Sequence, residues 1–263
     1  MKNIVKEILK FNRNKFFIYL KSKIDLMGKV DHFLPSDNEH KSKSTNLFFG
    51  SNSKILSGYS PLVLDDIEAY FVLFETLKQN SSNFNLNNEN EIDNFVCDSI
   101  QKAVFRYFGN GVPNDVVRTM LYKTAHEKDE DLPISKFKGT NMSMCTERSA
   151  LAHNFFKILG YNSSYVSGMV FLNGQKDLHS YNAVQLSSGY KIFDLVCTPT
   201  KSIEHNLPNP IMCNLDVNMG KMMLNNGEID NLDLPQTNFK SQSGKDYFIS
   251  YGNIDKFEHF ESA

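Results

Sequence analysis

Three residues whose side chains could together perform nucleophilic chemistry follow one another along the chain: Cys145, His179 and Asp194. A free thiol has a pKa of about 8.5, so a cysteine nucleophile needs help to ionise at neutral pH. Cys145 lies where an amphipathic helix is predicted to begin, and the unpaired N–H groups of a helix N-terminus favour a thiolate. A nearby histidine lowers the thiol pKa further and carries protons, and a carboxylate behind it fixes its tautomer. The three residue types therefore fit a nucleophile, a histidine that carries its proton, and a carboxylate that orients the histidine.

Asp194 needs a partner in any folded structure. It lies between apolar Phe193 and Leu195 in a predicted strand, and burial of an unpaired carboxylate is costly. His179, in the preceding predicted strand, is the nearest candidate.

The turn between these two strands decides whether the pair can meet. A two-residue turn at 187–188 would pair Leu186 with Gly189. His179 and Asp194 would then be diagonal neighbours on one face, with Cα atoms about 7–8 Å apart. A three-residue turn would place them on opposite faces unless a bulge corrected the register.

The segments "CTERSALAHNFFKILGYNSSYVSG", "HSYNAV" and "YKIFDLVCT" resemble the core of the transglutaminase-like superfamily of papain-like cysteine enzymes. The resemblance covers roughly residues 139–200 and implies an α+β fold, with helices packed on an antiparallel sheet. It implies that Cys145 is the nucleophile, His179 the acid and base, and Asp194 its orienting carboxylate, with no metal or cofactor. "CTE" also resembles the arylamine N-acetyltransferases, which place their cysteine far earlier in the chain.

Further site residues are expected near the triad. Asn141 and Ser143 closely precede Cys145 and could help its backbone N–H stabilise an oxyanion, although capping of the loop explains them equally well. Tyr181 stands where the family usually has tryptophan, and is a candidate for a substrate wall. The other cysteines are interpreted as structural: Cys97, Cys197 and Cys213.

Three regions are predicted along the chain. Residues 1–57 would form an appendage, with a basic helix over 1–27 and a Ser/Asn-rich linker over 35–57. Residues 58–203 would form the catalytic core, and 204–263 an extension that completes or covers it. The core would open with a helix capped by Ser60 with Pro61 at its first position. Two more helices are predicted, one ending near Gly109 and one starting near Asn114, and then the Cys145 helix, ending at Gly160, and three strands. After Thr200 the pattern predicts only a short Met-rich helix and one strand.

Composition limits the classes of function. The formal net charge of −2 gives no excess of positive charge for nucleic acid. The four cysteines lack C-x-x-C spacing, and the chain shows neither a signal peptide nor a membrane span, so a cytoplasmic setting is expected. The Ser/Asn-rich stretch near the N-terminus, the lack of a signal peptide and a compact cysteine enzyme together resemble the layout of bacterial effectors delivered into host cells. Residues 1–24 are rich in lysine, and could contact a chaperone or an anionic membrane weakly.

The expected function is hydrolysis of protein or peptide amides, as a glutamine deamidase or a peptidase. A transglutaminase or N-acyltransferase of the same fold is the first alternative, because the acceptor depends on the shape and water exclusion of the pocket. A catalytically inactive binding protein on the same core is the second.

Overall fold

The structure is a computed structural model, and it describes residues 3–27, 55–57, 60–64, 66–109, 115–128, 130, 132–172, 175–195, 210–225, 236–240 and 246–252. Helices come first along the chain and an antiparallel sheet follows, so the predicted α+β class is confirmed. The predicted linker over 35–57 lies outside the described residues except for its last three positions.

The N-terminal region contains two helices, α1 (Asn3–Lys10) and α2 (Arg13–Met27), and the prediction of one continuous helix is wrong. The break occurs because the side chain of Asn12 accepts a hydrogen bond from the backbone N–H of Lys15 at 2.9 Å. That contact caps the start of α2 and competes with continuation of α1.

These two helices pack into the main core. Phe16 stacks on Phe74 with ring centroids 4.6 Å apart, and the Tyr19 hydroxyl donates to the Ile158 carbonyl at 2.5 Å. The prediction that residues 1–57 form an appendage is therefore wrong for residues 3–23, because an apolar stripe on this segment is buried against later helices. Its members in the core are Val5, Ile8, Phe16 and Leu20.

A small three-stranded sheet follows where a helix was expected. Its strands are β1 (Ile55–Ser57), β2 (Ser60–Val63) and β3 (Leu132–Pro133), in the order β1-β2-β3. The predicted cap at Ser60 is wrong because these residues pair with β1 and β3. Helix α3 (Glu68–Asn80) starts later, and the Asp66 carboxylate accepts from the Glu68 N–H at 2.9 Å.

The next two helices are α4 (Glu89–Phe108) and α5 (Asp115–Glu127). They confirm the predicted helices that end near Gly109 and start near Asn114. Asn88 caps α4 by accepting from the Glu91 N–H at 2.8 Å. Gly109 ends the helix with φ of 95°, a value that glycine adopts without a steric penalty.

Helix α6 (Cys145–Ile158) leads into the main sheet, and Gly160, with φ of 81°, follows its end as predicted. The strands are β4 (Asn162–Leu172), β5 (Gln175–Leu186), β6 (Gly189–Asp194), β7 (Ile211–Asn214), β8 (Gln236–Lys240) and β9 (Asp246–Gly252). Their spatial order is β7-β6-β5-β4-β9-β8, and neighbours are antiparallel. The sequence did not predict β7 and β8.

Two layers of helices cover this sheet. Ser149 of α6 donates to the Ser180 carbonyl at 2.8 Å and accepts from the Asn182 side chain at 3.0 Å, so α6 lies on the face of the even-numbered β5 residues. Helix α7 (Val217–Asn225) covers the opposite face. Gly220 permits its close approach, because a Cβ there would lie 2.2 Å from Cγ of Tyr190.

Candidate active site

Cys145 occupies the first position of α6 and is partly exposed. The helix start is fixed by Glu147, whose carboxylate accepts a hydrogen bond from the Met144 N–H at 2.8 Å. The remaining N–H groups of this first turn carry partial positive charge, which favours an anion at the thiol position. The prediction that Cys145 opens a helix is confirmed.

A buried ion pair lies beneath the nucleophile. Nη2 of Arg118, from α5, lies 2.8 Å from Oε1 of Glu147, and the Tyr122 hydroxyl also donates to this carboxylate. Burial alone would raise the pKa of Glu147, but the charge and hydrogen bonds of Arg118, with those of Tyr122 and Met144, lower it below its usual value. The start of α6 is therefore held by a charged pair.

His179 and Asp194 meet as the register predicted. Leu186 pairs with Gly189, so the two-residue turn is confirmed. Nε2 of His179 lies 2.8 Å from both carboxylate oxygens of Asp194. The side chains are almost wholly buried, at 2% and 1% exposure for the residues. Burial would lower the pKa of His179, but the charge and hydrogen bond of Asp194 and the interaction with Cys145 raise it well above its usual range.

The pKa of the Cys145 thiol depends on the neighbouring His179. Burial would raise the pKa of Cys145, but the neighbouring His179, the charge of Arg118 and the N–H of Ser180 together lower it. A raised histidine pKa and a lowered cysteine pKa favour transfer of the thiol proton to the imidazole. Because Asp194 occupies Nε2, Nδ1 is the ring nitrogen left for Cys145. Nδ1 has no hydrogen-bond partner among the described residues, and catalytic hydrogen bonds of this kind are commonly long in the absence of substrate.

A fourth residue joins the triad that the sequence did not indicate. The hydroxyl of Tyr251, on β9, donates to Oδ2 of Asp194 at 2.5 Å. Its strand was predicted, but nothing in the sequence pattern links a tyrosine near the C-terminus to Asp194. Arg118 was missed for the same reason, since its partner is distant in sequence and no local pattern marks a buried arginine.

The other candidate site residues, Asn141, Ser143 and Tyr181, differ in their exposure and their contacts. Asn141 is partly exposed on the loop before Cys145, with φ of 58°, and its N–H donates to the Phe108 carbonyl at 3.0 Å. Ser143 is fully buried and accepts from Nε of Arg148 at 3.0 Å, so it anchors the loop rather than facing a substrate. Tyr181 is also fully buried, which removes it from the surface that a substrate could touch.

The remaining cysteines contrast with Cys145. Cys97 and Cys213 are buried, and burial with nearby carboxylates raises the pKa of both, that of Cys213 to about 12. Cys197 lies outside the described residues. Of the three cysteines that the structure describes, only Cys145 combines partial exposure with a lowered pKa.

The described residues offer no metal site and no membrane-spanning helix. No group of three or more His, Cys, Asp or Glu side chains there is arranged to hold a metal ion. No described helix has the length and apolar character needed to cross a membrane. In comparisons with known proteins, no family model, no curated protein and no solved structure matches this chain.

Proposed function

We propose that the protein is a cysteine-dependent acyl-transfer enzyme acting on protein or peptide amides, with Cys145, His179 and Asp194 as its triad. One observation carries the proposal: His179 is held by a buried carboxylate on one nitrogen and interacts with a partly exposed thiol at a helix N-terminus. The proposed fold is a papain-like, transglutaminase-like core, supported by the α+β topology and by the resemblance around Cys145.

The first half-reaction would form a thioester. The Cys145 sulfur attacks the amide carbon and forms a C–S bond, and the carbonyl oxygen takes the negative charge. The backbone N–H of Cys145, the first residue of α6, would donate to that oxyanion, because the first N–H groups of a helix have no partner within it. His179 then gives its proton to the amide nitrogen, the C–N bond breaks, and ammonia or an amine leaves.

The second half-reaction would release the acyl group. His179, now neutral, takes a proton from water, whose oxygen attacks the thioester carbon. The C–S bond breaks and the carboxylic acid leaves, while the proton taken from water stays on His179, so the thiolate–imidazolium pair is regenerated. Hydrolysis, as glutamine deamidation or peptide cleavage, is favoured over transfer to an amine because the chain of 263 residues carries no sign of the large accessory domains of tissue transglutaminases. An amine in place of water would give a transglutaminase or an N-acyltransferase.

The alternative of an inactive binding protein has less support. That function would be favoured by a Cys145 that is covered by the C-terminal extension, or by one with no interaction with His179. Cys145 is instead partly exposed, and its pKa responds to His179. The described part of the extension contributes Tyr251 to the triad.

The described helices at the N-terminus, residues 3–27, give no support to delivery into a host cell. That expectation required a mobile segment, but residues 3–23 pack into the core, and Tyr19 contacts the end of the Cys145 helix at Ile158. The same packing occupies the apolar stripe that membrane insertion would need. Delivery and membrane contact are therefore not part of the proposed function.

A cysteine-directed amide-mimicking electrophile tests the proposal. Wild type should be labelled at Cys145, Cys145→Ala should not be labelled, and His179→Ala should react much more slowly at pH 6. Cys213→Ala is the matched control and should be labelled like wild type, because Cys213 is buried. Equal labelling of wild type and Cys145→Ala would refute the triad.

The reaction itself can be identified by mass spectrometry of a protein extract incubated with wild type or Cys145→Ala. Glutamine converted to glutamate only in the wild-type sample would indicate deamidation. New chain termini would indicate cleavage, and cross-linked peptides would indicate transfer to lysine. Identical samples would count against all three activities on the proteins of that extract.

A further inference from the structure

Tyr251 and His179 share one oxygen of Asp194. Oδ2 of Asp194 accepts from the Tyr251 hydroxyl at 2.5 Å and lies 2.8 Å from Nε2 of His179. Oδ1 lies 2.8 Å from the same Nε2. The carboxylate is therefore held by donors from two different strands, β5 and β9.

The surroundings make this contact strong. Asp194 and Tyr251 are each 1% exposed, so water does not compete for the hydrogen bond. Burial, and then the charge of Asp194, raise the pKa of Tyr251 well above its usual value, so the hydroxyl keeps its proton and acts as the donor. Hydrogen bonds to buried charged groups are shorter and stronger than those between neutral groups.

We propose that Tyr251 is a positioning residue of the triad, which fixes the orientation of the Asp194 carboxylate and sets how strongly His179 holds its proton. The inference rests on the proposed function for its catalytic meaning. A hydroxyl that donates to the carboxylate withdraws part of its charge from His179.

This role explains why the C-terminal region belongs to the site. β9 pairs with β4 through Met169–Gly252 to Leu172–Ile249, and this pairing places Tyr251 beside the triad. The extension therefore completes the core with a functional side chain, and does not merely cover it.

Tyr181 provides a matched control. Its ring lies 4.9 Å from the ring of Tyr251 at 67°, and it is equally buried. Its hydroxyl makes no hydrogen bond in the described part of the chain. Tyr181→Phe therefore removes a buried hydroxyl from the same cluster without removing a donor to Asp194.

The test is the pH dependence of Cys145 alkylation by iodoacetamide, measured on the Cys145 peptide by mass spectrometry. Cys145 of the wild type should be alkylated at pH values well below the range of an ordinary thiol. The alkylation rate should rise a second time at the pH where His179 loses its proton. Tyr251→Phe should move that second rise upwards by about half a pH unit, because Asp194 then acts on His179 with its full charge. A difluorotyrosine at position 251, a stronger donor, should move it downwards. Tyr181→Phe should leave it unchanged.

Two results would overturn the inference: a Tyr251→Phe profile identical to wild type, or an equal shift in Tyr181→Phe. Titration of ¹⁵N-labelled His179 by NMR separates this inference from the proposed function. If wild-type Cys145 reacts as an ordinary thiol, the proposed function fails. The Tyr251 inference still stands in that case if the His179 titration shifts in Tyr251→Phe, and falls if it does not.

Discussion

Nε2 of His179 contacts both oxygens of Asp194 at 2.8 Å, although the two residues lie on different strands. Their contact depends on a two-residue turn, because one inserted residue would turn one of them to the other face. The turn is itself anchored, since the Ser187 N–H donates to the Asp93 carboxylate of α4 at 2.6 Å. The helical layer therefore helps to fix the register that assembles the triad.

The lowered pKa of Cys145 and the raised pKa of His179 predict a bell-shaped pH profile for the proposed reaction. The thiolate forms as pH rises through the lowered pKa of Cys145, and the imidazolium is lost as pH rises through the raised pKa of His179. Activity should therefore rise below the usual thiol range and fall above the usual histidine range. Measurement of kcat/KM against pH on an identified substrate checks this. A single rise near the ordinary thiol pKa would contradict it.

Asp194→Asn should preserve the shape of the site and remove its charge. Without the carboxylate, the pKa of His179 should fall towards its usual range, and Cys145 should lose the stabilising imidazolium. We expect alkylation of Cys145 at pH 6 to slow by at least about tenfold, since one pKa unit corresponds to that factor. Asp98→Asn is the control, because the partners of Asp98 in the described part of the chain are Lys102 and Asn80, which lie in α4 and α3 and not in the triad. Unchanged alkylation in Asp194→Asn would show that Asp194 does not support His179.

Glu147→Gln should destabilise the protein, because it leaves the Arg118 charge largely buried without its partner. Arg118 has only 16% side-chain exposure, and removing one partner of a buried pair costs about 3–5 kcal/mol. The pKa of Glu147 is lower in the folded state, so its stabilisation is complete above about pH 4.5. That stabilisation should be lost as pH falls through the lowered folded pKa.

Urea unfolding of Glu147→Gln at pH 7 and at pH 3 measures this effect. Glu127→Gln is the matched control, since Glu127 forms an exposed pair with Lys123, and should change stability by less than about 0.5 kcal/mol. Equal, small losses in both variants would show that the Glu147 pair adds little stability.

The sequence predicted the parts of this fold that depend on local signals. The Cys145 helix, its end at Gly160 and the hairpin register follow from periodicity and turn length, which act over a few residues. Ser60 was misassigned because its segment has helix-like capping residues but pairs with β1 and β3, and strand pairing is a non-local effect.

The site residues that the sequence did not predict also depend on contacts between segments distant in sequence. Tyr251 and Arg118 reach the triad from elements whose positions depend on the complete sheet and helix packing. Neither has a spacing relative to Cys145 or Asp194 that a pattern could use. The break in the N-terminal helix at Asn12 was a local signal, and the lysine-rich face of the segment obscured it.

Phe16→Ala tests whether the N-terminal helices are part of the core. Phe16 is fully buried and stacks on Phe74, and loss of a buried phenylalanine costs about 3–5 kcal/mol. Ile18 lies on the same helix but is 67% exposed, so Ile18→Ala should cost less than about 0.5 kcal/mol. The free energy of urea unfolding measures both variants, and trypsin cleavage at Arg13 should be faster in Phe16→Ala than in wild type. Equal stabilities, with rapid cleavage at Arg13 in wild type, would instead mean that residues 3–23 form a separate appendage, and would restore the structural argument for delivery.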